Sequence, residues 1–89
     1  MRCVISVLGK DTTGIVAAVT GVLAECGVNI DDISQTILDN LFSMTMLVTL
    51  DTRKADFNAV QECLDEAAKA IGVQITFQRQ DVFDYMYKI

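Results

Sequence analysis

The chain has 89 residues, 52% of them hydrophobic and none of them proline, which leaves room for one hydrophobic core and predicts a single domain over residues 1–89. Seven basic residues, Arg2, Lys10, Arg53, Lys54, Lys69, Arg79 and Lys88, lie scattered among twelve acidic ones for a net charge of -5, a pattern that excludes the clustered basic surface nucleic acid requires. Histidine is absent, which removes the commonest general base and metal ligand, and the apolar runs are too short to span a bilayer.

Residues 2–8 are apolar on both alternating sets, Cys3/Ile5/Val7 and Val4/Leu8, as in a strand at the centre of a sheet. A polar loop, Gly9 to Gly14, then opens a helix over about 13–26, in which Ile15, Val19, Val22, Leu23 and Cys26 recur at helical spacing and Gly27 supplies the stop. The other face of that helix carries Ala17, Ala18, Gly21 and Ala24 with Glu25 as its only charge. So bare a face implies close packing, on the sheet or on another surface.

From Val28 to Leu38 the residues favour a strand whose alternation slips by one between Ile30 and Ile33, predicting a bulge at Asp31-Asp32. That reading is preferred over a metal site, since adjacent carboxylates in a strand point to opposite faces. Asp39-Asn40 reads as a two-residue hairpin turn. The third strand alternates cleanly, with Phe42, Met44, Met46, Val48 and Leu50 inward and Ser43, Thr45 and Thr49 outward.

Phe57, Val60, Leu64, Ala67, Ala68 and Ile71 mark a second amphipathic helix, with Asp56 as N-cap and Gly72 as stop. Residues 73–79 alternate Val73, Ile75 and Phe77 with Gln74, Thr76 and Gln78, as an edge strand with one wet face does. Val82, Phe83, Met86 and Ile89 then fit a short helix, whose apolar side covers either the open sheet face or a neighbouring subunit.

The order strand, helix, strand, strand, helix, strand predicts an α+β, ferredoxin-like βαββαβ fold: a four-stranded antiparallel sheet in the order 4-1-3-2 with both helices on one face. Cys3, Cys26 and Cys63 all fall in apolar patterns and read as reduced, buried small hydrophobes of a cytoplasmic protein. No catalytic residue is assigned, because Ser6, Ser34 and Ser43 lie within strands and no nucleophile and base pair is evident. The chain reads as a non-enzyme with no cofactor and no metal.

The run Gly9-Lys10-Asp11-Thr12-Thr13-Gly14-Ile15-Val16, with Leu23-Ala24-Glu25-Cys26-Gly27-Val28-Asn29-Ile30, resembles the signature of ACT domains. Asp31-Asp32-Ile33-Ser34-Gln35-Thr36 and the tail Met86-Tyr87-Lys88-Ile89 are similar to the small stand-alone members of bacteria and archaea, most of them functionally uncharacterised. The resemblance implies a regulatory domain that binds a small molecule, typically an amino acid, and works as a homodimer or larger assembly beside a partner enzyme or regulator. It places the ligand between subunits, against Asp11, Thr12, Thr13, Gly14 and Ile15 of the loop and Asn29 and Ile30 of the second strand. In that placement the helix-opening N–H groups hold a carboxylate, and Asp11 and Asn29 accept from an ammonium group. Asp11, Thr12 and Thr13 equally suit capping of the helix without any ligand. The alternative function is a homo-oligomeric protein-interaction module that needs no ligand.

Overall fold

The computed structural model describes residues 1–10, 14–51, 53, 54 and 56–86. Strand β1 (Arg2–Lys10) leads to helix α1 (Ile15–Glu25), strands β2 (Val28–Leu38) and β3 (Leu41–Leu50), helix α2 (Phe57–Ile71), strand β4 (Gln74–Arg79) and a short helix α3 (Gln80–Met86). All pairings are antiparallel and the sheet order is β2-β3-β1-β4, so the two strands with apolar character on every inward position occupy the centre, as expected. Among the described residues no helix is long and apolar enough to cross a membrane.

The core lies on one face of the sheet. Cys3, Ile5 and Val7 of β1, Phe42 to Leu50 at every second position of β3, and Phe77 of β4 meet Ile15, Val19 and Leu23 of α1 and Val60 and Leu64 of α2. Every side chain of that set belongs to a period-2 strand stripe or a 3.6-period helix stripe, which is why the alternation marks the inward residues. Where α2 begins, the Phe57 and Phe77 rings stack with centroids 4.4 Å apart, pinning the helix to the edge strand β4. Asp56 occupies the N-cap position with extended backbone, and its carbonyl accepts from Val60 N at 3.1 Å, but its side chain makes no capping hydrogen bond. Asp56 thus stands at the N-cap as expected, and the aromatic stack and the backbone bond fix this end.

The slip in β2 is a bulge. Ile30 pairs with Val48 and Asp32 with Leu47, which leaves Asp31 with no register partner, and the shift returns Ile33 and Ile37 to the helix side. The hairpin closes with Leu38 opposite Leu41, and Asp39 takes φ 60°. On the face away from the helices, Val4 is nonetheless buried, at 6% exposure. Helix α3, which directly follows β4, also touches β1. Ile89 and the side chain of Met86 lie outside the described residues.

Candidate functional site

Lys10 at the end of β1 pairs with Leu41, so β1 ends beside the hairpin, and helix α1 begins at Ile15. Gly9 stands near that end of β1, where a Cβ would lie 2.7 Å from Val73 Cγ1; only a residue without a side chain lets β1 approach that segment so closely. Gly14 has φ 89°, a left-handed conformation that costs an L residue about 1 kcal/mol or more. The first helical bond runs from Ala18 N to Gly14 O at 2.9 Å. The N–H groups of Ile15, Val16 and Ala17 therefore have no intrahelical partner and sit at the positive end of the helix dipole. The Gly14 cap position offers no side-chain hydrogen bond, and the first turn holds no acidic residue.

This helix start borders an open groove of about 370 Å³ lined by Gly14, Ile15, Val16, Ala17, Gln35, Ile37 and Phe42. Its walls are apolar apart from the Gln35 amide and the helix-start backbone, and none of these residues is charged. The volume is at the small end of ligand sites, which run from about 300 to 1,000 Å³, and suits a molecule of few heavy atoms with an anionic group for the helix start.

Of the residues expected to contact a ligand, Gly14 and Ile15 line this groove, while Asp11, Thr12 and Thr13 lie outside the described residues. Asn29 and Ile30 are elsewhere. Asn29 pairs with Thr49, and Thr49 with Arg2, whereas the groove adjoins the Leu41 end of β3. Seven steps along β3 separate Thr49 from the groove residue Phe42, roughly 23 Å at about 3.3 Å per residue. One chain thus holds the two expected halves of the site at opposite ends of its sheet.

The Asn29 side chain is also engaged. Its amide donates to Asp31 Oδ1 at 2.7 Å, the Thr49 hydroxyl donates to Asp31 Oδ2 at 2.5 Å, and Arg2 Nε lies 3.8 Å from that same oxygen. The Thr49 hydroxyl, followed by the Asn29 amide and the Arg2 charge, holds the Asp31 carboxyl below the usual carboxylate range despite some loss of hydration. Among the described residues no group of three or more histidine, cysteine or acidic side chains could hold a metal ion.

Val16, Ala17, Gln35, Ile37 and Phe42 of the groove were not singled out from the sequence. A signal for the last three was present: counting back from the Asp39-Asn40 turn in an antiparallel hairpin puts Ile37 against Phe42 and both beside the end of β1.

Residues 2–78 match the family model described as ACT domain. A UPF0237 protein of Methanocaldococcus jannaschii is 51% identical over 88 residues, covering 99% of this chain and 98% of its own. The solved ACT domain protein from Streptococcus pneumoniae is 44% identical, covers 98% of each chain and superposes with a TM-score of 0.82. The regulatory subunit of aspartate kinase from Thermus thermophilus, in its ligand-free form, is 26% identical with a TM-score of 0.69 over 86% of this chain and 50% of its own. The groove at the start of α1, the βαββαβ order and these matches together make the chain a member of the ACT-domain family.

Proposed function

We propose that this protein is a cytoplasmic, non-catalytic regulatory domain that binds an amino acid and acts as a homodimer. The observation that carries the reading is the set of helix-start N–H groups at Ile15, Val16 and Ala17, which border a small, uncharged, largely apolar groove. Such a site takes a carboxylate at the helix end and an aliphatic or aromatic side chain against Ile37 and Phe42. A relative at 26% identity is the regulatory subunit of aspartate kinase, which supports a regulatory role beside a partner enzyme. No cofactor, metal or nucleic acid enters the reading.

The separation of the two site halves supports the dimer. β2 is an edge strand, and from Ser34 to Leu38 it is exposed throughout. Two copies that pair their β2 edges antiparallel about a two-fold axis near Ile33 set Asn29 and Ile30 of one beside Gln35 and Ile37 of the other. The same axis keeps the helices of both copies on one side, with the exposed Ala17, Gly21 and Ala24 of each α1 facing their counterparts at close range. In this arrangement Ile30 reaches the groove with its side chain, and Asn29 shapes the strand that carries it through its bond to Asp31.

The test is a thermal-shift screen across the amino acids, read beside mass by light scattering. An amino acid should raise the melting temperature of a dimer, and Asn29→Ala should reduce the rise. A full panel without a shift removes the ligand reading. A second reading, an interaction module independent of ligand, draws on the exposed Leu8, Leu38 and Leu41, which the register places together on the open face; a strictly monomeric protein that recovers no partner removes it.

A further inference from the structure

Arg2 and Arg79 stand on neighbouring strands at the end of the sheet opposite the α1 groove. Arg79 pairs with Cys3, so the two arginines are one strand apart, about 4.8 Å, and one residue apart along it, about 3.3 Å. Both border a single open cavity of about 290 Å³, which Met1, Gln80 and Asp81 complete. Neither belongs to the core, their side chains being 55% and 54% exposed.

Most of their hydrogen-bonding capacity is unused. Arg2 Nε lies 3.8 Å from Asp31 Oδ2, too far for a hydrogen bond, and Asp31 already accepts from Thr49 and Asn29. Arg79 Nη2 donates to Asp81 Oδ2 at 2.8 Å, while the other Asp81 oxygen accepts from Val82 N at 3.0 Å. Among the described residues that is the one side-chain hydrogen bond the two guanidiniums make, from about ten N–H groups. The cavity thus holds two cationic side chains against the single carboxylate of Asp81, in a chain whose net charge is -5. That net charge repels extended polyanions and leaves small anions as the ligands this cavity suits.

We propose that the cavity is a binding site for a small phosphate monoester, its phosphate group held between Arg2 and Arg79 and its remaining atoms against Met1 and Gln80. Two guanidiniums reaching in from different strands suit the three terminal oxygens of a phosphate group, whereas a planar carboxylate is matched by one. The volume holds a phosphate group and a few carbon atoms. Asp81 competes with the ligand for Arg79 and so limits the affinity. The site lies at the far end of the sheet from the α1 groove and stands whether or not an amino acid binds there.

The isotope-labelled full chain is titrated with glycerol phosphate at constant ionic strength, and with glycerate as the carboxylate counterpart, while the backbone amide resonances are followed. Saturable shifts are expected around residues 2–4 and 78–82 with glycerol phosphate, and none with glycerate at the same concentration. Arg2→Gln and Arg79→Gln should each weaken binding about tenfold, the loss expected for one charge-assisted contact, with an unchanged circular dichroism spectrum. Asp81→Asn releases Arg79 and should tighten binding, which a purely structural role of Asp81 would not do. The proposal is overturned if millimolar glycerol phosphate gives no saturable shift, if glycerate binds as tightly, or if the shifts centre on residues 14–17. It is equally overturned if both glutamine variants bind as the wild type does, or if Asp81→Asn fails to tighten binding.

Discussion

Thr49 donates a 2.5 Å hydrogen bond from β3 to Asp31, the one residue of β2 that has no register partner on that strand. A side-chain bond thus replaces a backbone pairing at the bulge, and its acceptor is titratable. Because the folded pKa of Asp31 is depressed, its stabilising contribution is present above the unfolded-state pKa, about 4, and is lost as pH falls through the lower folded value. Asp51, held down by Arg53, adds in the same sense. Urea midpoints between pH 7 and pH 2 should fall less steeply for Asp31→Asn than for the wild type, and less again for Asp31→Asn with Asp51→Asn. Equal slopes in all three proteins would contradict this.

The Phe57–Phe77 stack joins α2 to β4 where the Asp56 side chain supplies no cap. Phe57→Ala should cost about 2 kcal/mol, less than a fully buried phenylalanine because the ring is half-exposed. In a double-mutant cycle with Phe77→Ala, a coupling of about 0.5–1.5 kcal/mol is expected from the ring contact itself. Strict additivity would mean that the two rings act only through their separate burial.

Leu64 and Leu38 are the same residue type at opposite extremes, one 0% and the other 72% exposed. Leu64→Ala opens a cavity between α2 and the sheet and should cost about 2–5 kcal/mol, whereas Leu38→Ala should change stability by no more than about 0.5 kcal/mol. Both numbers come from urea unfolding with an unchanged m value.

Gly21 separates helix propensity from association. A Cβ there meets nothing within 4 Å in the isolated chain, so Gly21→Ala should stabilise the folded chain by about 0.5–1 kcal/mol. Gly21→Leu keeps the fold but pushes an opposed helix away, and the mass by light scattering should drop to that of a monomer. A dimer that survives Gly21→Leu places the interface elsewhere.

Most of the fold could be read from residue spacing because each element carries one clear period. The bulge was legible as well, since a phase slip between Ile30 and Ile33 has no other simple backbone solution. The N-cap at Asp56 was legible from its residue type, whereas the lack of a side-chain capping bond was not, since the start of α2 is already held by stacked rings. The groove walls at Gln35, Ile37 and Phe42 were missed for a different reason. They depend on which end of β2 lies beside the loop after β1, a long-range relation that no local pattern carries and only the counted register supplies.

The roughly 23 Å of strand between the groove residue Phe42 and Thr49, the partner of Asn29, exceeds the length of any amino acid. A small molecule that touched both the groove and Asn29 would therefore count two chains at once, and its half-saturation point would shift as the protein is diluted. On the proposed ligand-bridged dimer, a cell that made more of this protein would, with no change in any residue, make it respond to less ligand.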